Sequence, residues 1–352
     1  MSARARLALA VCLAACNQGT NATVDAATGA HADGTVGAWS TLTPLPLPRA
    51  NHCAAVVGGW LLVIGGNYLP PGATDFKTID AIHAAPLQPD GSLGPWQQAG
   101  KTPSPVYECT ATGDASRLYI VDGIYDDMTS GGQVWAADLS TAGMLSALTS
   151  ISTLPAGANA LYADAWVHGS TLYAATSNLD KNMTGTLHAP ITGNSLGSWN
   201  EDDWRPGFVG HPQYAFTGSY FFVLGGYQSA DAGLVAIPDV SGAPLNSSGM
   251  IGSRFKTISL DAPTAFGTAI AVDDYLFIVG GKEGVFSAPG VATVESAHVG
   301  SNGQLDTWTA QTSLPAGRTN HAIALGGDFL YVTGGGMNGP GLDTVYSARV
   351  RK

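Results

Sequence analysis

Hydrophobic and polar residues follow one repeating order along most of this chain. Two apolar runs are separated by a short turn and end in a glycine pair, as in HCAAVVGGWLLVIGG at residues 52–66 and HAIALGGDFLYVTGG at residues 321–335. Similar stretches occupy residues 213–226 and 268–281. Two-residue turns of glycine and aspartate between apolar runs are typical of β-hairpins, because these residues tolerate positive φ. The pattern therefore predicts a recurring pair of buried antiparallel strands.

A second marker recurs in each repeat, where an apolar residue is followed three positions later by a large side chain. This side chain recurs every 51 to 57 residues, at Trp39, Trp96, Leu148, Trp199, Arg254 and Trp308. A third strand precedes the marker, most clearly at residues 294–299, and the marker introduces a fourth. Units of about 50 residues with four strands are typical of propeller blades. The chain is therefore predicted to be all-β, a six-bladed β-propeller of four-stranded antiparallel blades, with seams near residues 48, 104, 155, 206, 262 and 316.

The two ends of the repeat region belong together. Residues 303–322 match residues 34–53 in register, with an Arg ten residues and a His thirteen residues after each Trp. The last unit ends after its third strand, whereas residues 34–43 form a fourth strand with no unit before them. Pairing the two fragments would remove an exposed sheet edge. The N-terminal strand is therefore predicted to close the last blade.

Composition and charge restrict the range of partners. The chain has 46 Gly and 20 Pro, and 12% of its residues are charged, which suits short strands and tight turns. The net charge is -11 with 15 Lys and Arg, so we expect no nucleic-acid partner, because binding to phosphates depends on these cations. The sequence contains no phosphate-binding loop, zinc-ligand cluster or serine elbow, and we expect no cofactor and no metal.

The first residues read as an export signal. MSARARLALAVCLAAC has two arginines and then an apolar run that is too short to span a bilayer. Its end, LAAC, resembles the lipobox of bacterial lipoproteins, which implies a signal peptide at 1–15 and lipidation of Cys16. Residues 16–33 are predicted to be a flexible tether, and 34–352 the propeller. Asn17 favours delivery to the outer membrane, and an ordinary cleaved signal is the alternative.

Polar residues at the starts of the innermost strands are the candidate site. Arg49 and His52 match Arg318 and His321, and the other blades carry Glu108, Asp164 and His211 at similar places. We expect these side chains near one mouth of the central channel, where they could bind a ligand. The structural alternative is that the Arg and His side chains bond to backbone carbonyls between blades, and a water-filled channel would also account for such a ring.

Cys53 and Cys109 occupy nearly the same place in adjacent blades. In an exported chain such a pair is predicted to form a disulfide. Two buried free thiols are the alternative, because the Cα atoms must come within about 7 Å for a bond to form.

The strand ends VIGG, VLGG, IVGG and VTGG, with an aromatic strand in each unit, resemble kelch repeats. The resemblance covers residues 34–350 and is weakest in the third unit. With the export signal, it favours a lipid-anchored, monomeric binding module in the bacterial envelope that takes a protein or a glycan at one channel mouth. An enzyme remains open. The first alternative resembles the sialic acid mutarotases, with Glu108 and His52 as acid–base candidates and Arg318 holding a sugar carboxylate. A less favoured one resembles the galactose-oxidase-like copper enzymes.

Overall fold

The computed structural model describes residues 31–351, apart from 122, 126–131, 159–163, 179–182, 207–208, 231–232, 286 and 337–339. These residues form six antiparallel sheets, blades 1 to 6, around a central channel. We number the strands of each blade from the channel to the rim. Blades 1 to 3 consist of Cys53–Val57, Trp60–Ile64, Ala81–Pro86 and Gln97–Lys101; Thr110–Gly113, Arg117–Val121, Gln133–Asp138 and Thr149–Thr153; and Ala165–His168, Thr171–Asn178, Met183–Thr192 and Asn200–Pro206.

Blades 4 to 6 have the same order of strands. They consist of Gln213–Phe216, Tyr220–Leu224, Val240–Pro244 and Phe255–Lys256; Thr268–Val272, Tyr275–Val279, Val294–His298 and Thr309–Ala310; and Ala322–Gly326, Phe329–Thr333, Val345–Arg349 and Ser40–Thr41. Blade 3 has an additional short strand, Ser195–Leu196. Two-stranded sheets flank the glycine pairs, namely Asn67–Tyr68 with Lys77–Thr78, Val106–Tyr107 with Ile124–Tyr125, Tyr227–Ala230 with Gly233–Ala236, and Thr264–Ala265 with Lys282–Glu283. The predicted six-bladed, all-β fold is confirmed.

The hairpins and the core form as the apolar pattern predicts. Val57 pairs with Trp60 across a turn at Gly58 and Gly59, whose φ angles are 55° and 79°. The inner strands are apolar at almost every position because neighbouring blades cover both faces of each sheet. Between blades 1 and 2, for example, Ile64 and Ile120 belong to one buried cluster. None of the described residues forms a helix with the length and hydropathy needed to span a bilayer.

The recurring tryptophan joins the outer parts of adjacent blades. The indole Nε1 of Trp39 donates to Thr312 O at 2.8 Å, and that of Trp96 donates to Thr43 O at 3.1 Å. In blade 3, Trp199 Nε1 donates to Ser152 Oγ at 3.0 Å. In each case the acceptor lies in or just after the fourth strand of the preceding blade. These three tryptophans therefore fasten their blades to the preceding ones, whereas the Nε1 of Trp308 is buried without a described partner.

The glycine pairs join the inner parts of adjacent blades. The second glycine of a pair donates its N–H to a carbonyl of the next blade, as in Gly226 to Thr264 O at 2.8 Å and Gly335 to Arg49 O at 2.9 Å. The first glycine has no room for a side chain, because a Cβ on Gly225 would lie 2.2 Å from Thr264 O. Both glycines also have positive φ, which disfavours other residues. Close approach of the blades therefore explains the motif.

The N-terminal strand closes the ring in the predicted place. Ser40 pairs with Ser347 and Thr41 with Tyr346 in blade 6. The contacts begin earlier than the expected boundary at residue 34, because Ala32 bridges Arg351 and donates its N–H to Asp273 Oδ2 at 2.7 Å. The signal peptide, Cys16 and most of the predicted tether lie outside the described residues, and they remain predictions.

Candidate functional site

Five residues with left-handed backbone surround one mouth of the channel. Each lies two residues before the first strand of its blade and has a φ angle between 48° and 57°. These residues are Asn51, Glu108, His211, Phe266 and Asn320. Positive φ is uncommon for residues other than glycine and is strained for a bulky one such as Phe266. Hydrogen bonds between blades hold the conformation, for example Asn51 N to Asn320 O and Asn320 N to Phe266 O, both at 3.0 Å. The repeated geometry brings one side chain to the mouth from each of five blades, and the equivalent position of blade 3 lies outside the described residues.

Two adjoining cavities form the candidate site. The mouth cavity is lined by the five left-handed residues, and the channel cavity by residues of all six blades. Each cavity has a volume of about 140 Å³. They share a wall, which consists of His52, Cys109, Pro212, Gly267, Thr268 and His321. The space suits a small ligand or one unit of a larger one, because drug-sized ligands fill about 300–1,000 Å³.

His52 and His321 lie between blades with one imidazole nitrogen bonded and the other free. His52 Nε2 shares a hydrogen bond with Thr333 Oγ1 at 2.8 Å, and His321 Nε2 shares one with Thr268 Oγ1 at 3.0 Å. Both Nδ1 atoms are buried without a described partner. Burial lowers the pKa of His321 to about 3, and burial with the nearby Arg49 lowers the pKa of His52 well below its usual value. Both imidazoles are therefore neutral at physiological pH.

Asp164 is the acidic group inside the channel. Its Oδ1 accepts hydrogen bonds from Ala165 N at 2.8 Å and from Thr110 Oγ1 at 3.3 Å. No described residue donates to Oδ2, and no described lysine or arginine lines the channel. Burial raises the pKa of Asp164 to about 7, despite the two hydrogen bonds. A carboxyl group with such a pKa can accept or donate a proton at neutral pH.

Gln213 is the most conspicuous polar side chain of the channel. It is 2% exposed, lines the channel cavity, and neither its Oε1 nor its Nε2 has a described hydrogen-bond partner. A buried amide without partners costs about 1–3 kcal/mol, so such groups are rare in folded proteins unless water or a ligand satisfies them. Gln213 therefore points to an occupant of the channel.

His211 and Glu108 lie at the mouth, as expected. The His211 ring packs against Phe266 with centroids 3.8 Å apart and the ring planes inclined by 41°, and burial lowers the pKa of His211 to about 3. The Glu108 N–H donates to Asn51 O at 2.6 Å. The ring pair presents an apolar face beside the polar groups of Asn51 and Glu108. Such a face next to donors and acceptors suits a sugar ring.

The two sulfur atoms of Cys53 and Cys109 form a disulfide in the channel wall. Their Cα atoms are 5.6 Å apart, and the S–S distance is 2.10 Å. The bond joins the first strand of blade 1 to the residue preceding the first strand of blade 2. It thus covalently links two blades beside both cavities.

The structure places Arg49 and Arg318 outside the lining of both cavities. Arg49 is 0% exposed, donates to Gly65 O at 2.8 Å and contacts His83 Nδ1 at 3.0 Å. Arg318 is 2% exposed, donates to Gly334 O at 3.0 Å and lies over the ring of Tyr346. These contacts favour the structural alternative for both arginines. They also correct the expectation that Arg318 could hold a sugar carboxylate, because its guanidinium is turned into the wall.

Some residues that line the two cavities were not predicted from the sequence. Thr110, Trp166, Thr268 and Phe266 line the cavities but were not predicted as site residues. Phe266 could have been found, because it occupies the position of Asn51 and Asn320 in its own blade. Among the described residues, no group of three or more His, Cys, Asp or Glu side chains is arranged to hold a metal ion.

Comparisons with known proteins bear on the fold alone. No protein-family model matches the chain, and no curated protein is similar to it. Among solved structures 447 chains match, so the fold is common and does not by itself indicate a function. One of them, the structure of YjhT, superposes with a TM-score of 0.63 and 14% sequence identity, over 87% of this chain and 95% of that chain. The chain therefore shares a β-propeller fold with that protein.

Proposed function

We propose that this protein is an extracytoplasmic binding module. It would bind one sugar unit of an envelope glycan in the mouth cavity and the channel cavity of the propeller. The observation that carries the proposal is Gln213, whose buried amide has no described partner and lines the channel. The Nδ1 atom of His52, which is buried without a described partner, lies in the same wall. Sugar hydroxyls both donate and accept hydrogen bonds, so one sugar ring can satisfy such a set.

The shape and composition of the site agree with a sugar. Its two cavities of about 140 Å³ each suit one sugar ring better than a protein segment. The packed rings of His211 and Phe266 offer apolar surface at the entrance. The polar side chains His52, Gln213 and His321 of the channel wall are buried, and a hydrogen bond in such a place is stronger than in water.

The cellular setting is a proposal that rests on the first residues of the chain. We place the protein at the outer membrane of the bacterial envelope, held by a lipid on Cys16, because LAAC at residues 13–16 resembles a lipobox and Asn17 follows it.

 The mature chain is expected to be a monomer with one lipid anchor. The net charge of -11 over the full sequence argues against a nucleic-acid partner.

A second candidate function is catalysis on a sugar, of the mutarotase type. The observation that favours it is Asp164, whose pKa of about 7 suits a general acid and base at the anomeric hydroxyl. The role given to Arg318 is lost in this candidate, because the Arg318 side chain is buried and bonded within the wall. We therefore place binding first and catalysis second.

The test of the binding proposal uses the mature chain with Cys16→Ser, on a glycan array and then by calorimetry with the best glycan. Gln213→Met keeps the size of the side chain and removes its polar atoms, so we expect at least a tenfold loss of affinity. The control is Gln88→Met, because Gln88 is exposed and lines neither cavity. The proposal is contradicted if the parent protein retains no glycan on the array. It is also contradicted if the parent and Gln213→Met bind the best glycan with equal affinity.

The same protein distinguishes binding from catalysis. Exchange between the two anomers of the bound sugar can be followed by NMR with and without the protein. A binding module leaves the exchange rate unchanged, whereas a mutarotase raises it and loses the effect in Asp164→Asn.

A further inference from the structure

The described walls of both cavities carry carboxyl groups and no lysine or arginine. Glu108 lies at the mouth and Asp164 inside the channel, and neither cavity is lined by a described lysine or arginine. The other titratable groups that line the channel are His52, His321 and Tyr214. Both histidines are neutral at physiological pH, and burial raises the pKa of Tyr214 to about 12. A ligand in the channel therefore meets negative and neutral groups.

Asp164 has capacity for a ligand. Its Oδ1 accepts from Thr110 and Ala165, whereas Oδ2 accepts from no described residue. A carboxylate in a poorly hydrated cavity without a cation is costly, and a cationic ligand would remove that cost. Arg49 and Arg318, the arginines near the channel residue His52, direct their guanidinium groups at the carbonyls of Gly65 and Gly334.

We propose that the channel selects a sugar unit that carries a protonated amine, with Asp164 as its counter-charge and the Gln213 amide as the partner of a neighbouring hydroxyl. This inference rests on the proposed function and specifies its ligand class. Gln213 is the independent observation, because its two amide atoms are buried in the same wall without described partners. An anionic sugar would find no lysine or arginine in the described walls of the cavities, and a neutral sugar would offer Asp164 no cation.

The experiment compares four sugars by calorimetry at pH 7 with the mature chain carrying Cys16→Ser. The sugars are glucosamine, glucose, N-acetylglucosamine and glucuronate, which differ in charge on similar rings. We expect glucosamine to bind at least fivefold more tightly than glucose, and glucuronate to bind least. In Asp164→Asn the affinity for glucosamine should fall at least fivefold more than the affinity for glucose.

The matched control is Asp306→Asn, because the Asp306 side chain is 71% exposed and lines neither cavity. It should leave the preference for glucosamine as it is in the parent. Equal or tighter binding of glucose or N-acetylglucosamine by the parent would overturn the amine proposal and leave the sugar-binding function in place. A lack of binding by all four sugars, with no glycan retained on the array, would overturn both.

Discussion

Asp164 is held in a setting that opposes its ionisation. Its pKa rises from 3.8 to about 7 because the channel wall buries it, and no described cation compensates. Between these two values the unfolded chain is ionised while the folded protein keeps the proton. The free energy of unfolding therefore falls as the pH rises from about 4 to 7. Groups that destabilise a fold in this way are often found at functional sites.

The Asp164→Asn variant measures this cost. It keeps a neutral group in the channel, so at pH 8 its free energy of unfolding should exceed that of the parent by about 2–4 kcal/mol. Near pH 4 the two proteins should be equally stable, because Asp164 is then protonated in the folded parent. Urea unfolding at pH 4, 6 and 8 checks the trend. The buried histidines titrate in both proteins and cancel in the difference, and a difference that does not vary with pH would contradict the assignment.

Arg318 illustrates the opposite case, a charged side chain that the fold requires. Its guanidinium donates to Gly334 O and Thr344 Oγ1 and lies 4.3 Å from the Tyr346 ring centroid. Arg318→Ala would leave these acceptors unpaired in a buried place, so we expect a loss of about 2–4 kcal/mol in the free energy of unfolding. The control is Arg349→Ala, whose partly exposed pair with Asp328 should contribute less than about 1 kcal/mol. Similar losses in chemical denaturation for the two variants would argue against a structural role.

At the scale of the elements, the glycine pair is the joint between two blades. Gly225 has a φ of 58°, and a Cβ there would lie 2.2 Å from the backbone oxygen of Thr264 in the next blade. Gly193 has almost the same φ, 57°, and a Cβ there would meet nothing within 4 Å. The two positions therefore separate the strain of positive φ from the clash between blades.

Alanine at these two glycines gives the corresponding prediction. Gly193→Ala should cost about 1–2 kcal/mol, the ordinary cost of a left-handed residue other than glycine. Gly225→Ala should cost at least about 2 kcal/mol more, because the blades must move apart. Thermal and chemical denaturation of both variants measure the difference. Equal costs would show that the glycine pair recurs in four of the six units for φ alone.

At the scale of the whole molecule, the N-terminal strand and the disulfide join parts that are distant in sequence. Val36 and Leu45 are 5% and 4% exposed, and both pack within the closed ring. Cys53 and Cys109, which are 56 residues apart, link blades 1 and 2. A propeller depends on such links because each blade contacts only its two neighbours.

Truncation tests the closure. Deletion of residues 1–45 removes the fourth strand of blade 6 and the buried Val36 and Leu45, so we expect the Tm to fall by about 10 °C and aggregation to increase. Deletion of residues 1–30 should leave the Tm unchanged. Deletion of residues 1–33 should fall between them, because it removes the Ala32 contacts to Asp273 and Arg351. Scanning calorimetry compares the three, and a parental Tm for the longest deletion would contradict closure by this strand.

The sequence alone determined the fold of this protein, because its signals are local and repeated. Hairpin turns, apolar runs and the 51 to 57 residue period predict four-stranded blades, and counting strands predicts closure by Ser40–Thr41. The starts of the first strands were also predictable as the place where polar residues gather. Local pattern thus indicated which strand ends surround the channel.

Only the tertiary structure decided which of these polar residues face the cavity. Arg49 and His52 are three residues apart, yet His52 lines the channel while Arg49 bonds to Gly65 O inside the wall. The direction of a side chain depends on the neighbouring blade, and so does the lack of partners at Gln213. The raised pKa of Asp164 likewise follows from what surrounds it in space. Burial and partner geometry are long-range properties, so no stretch of the sequence contains them.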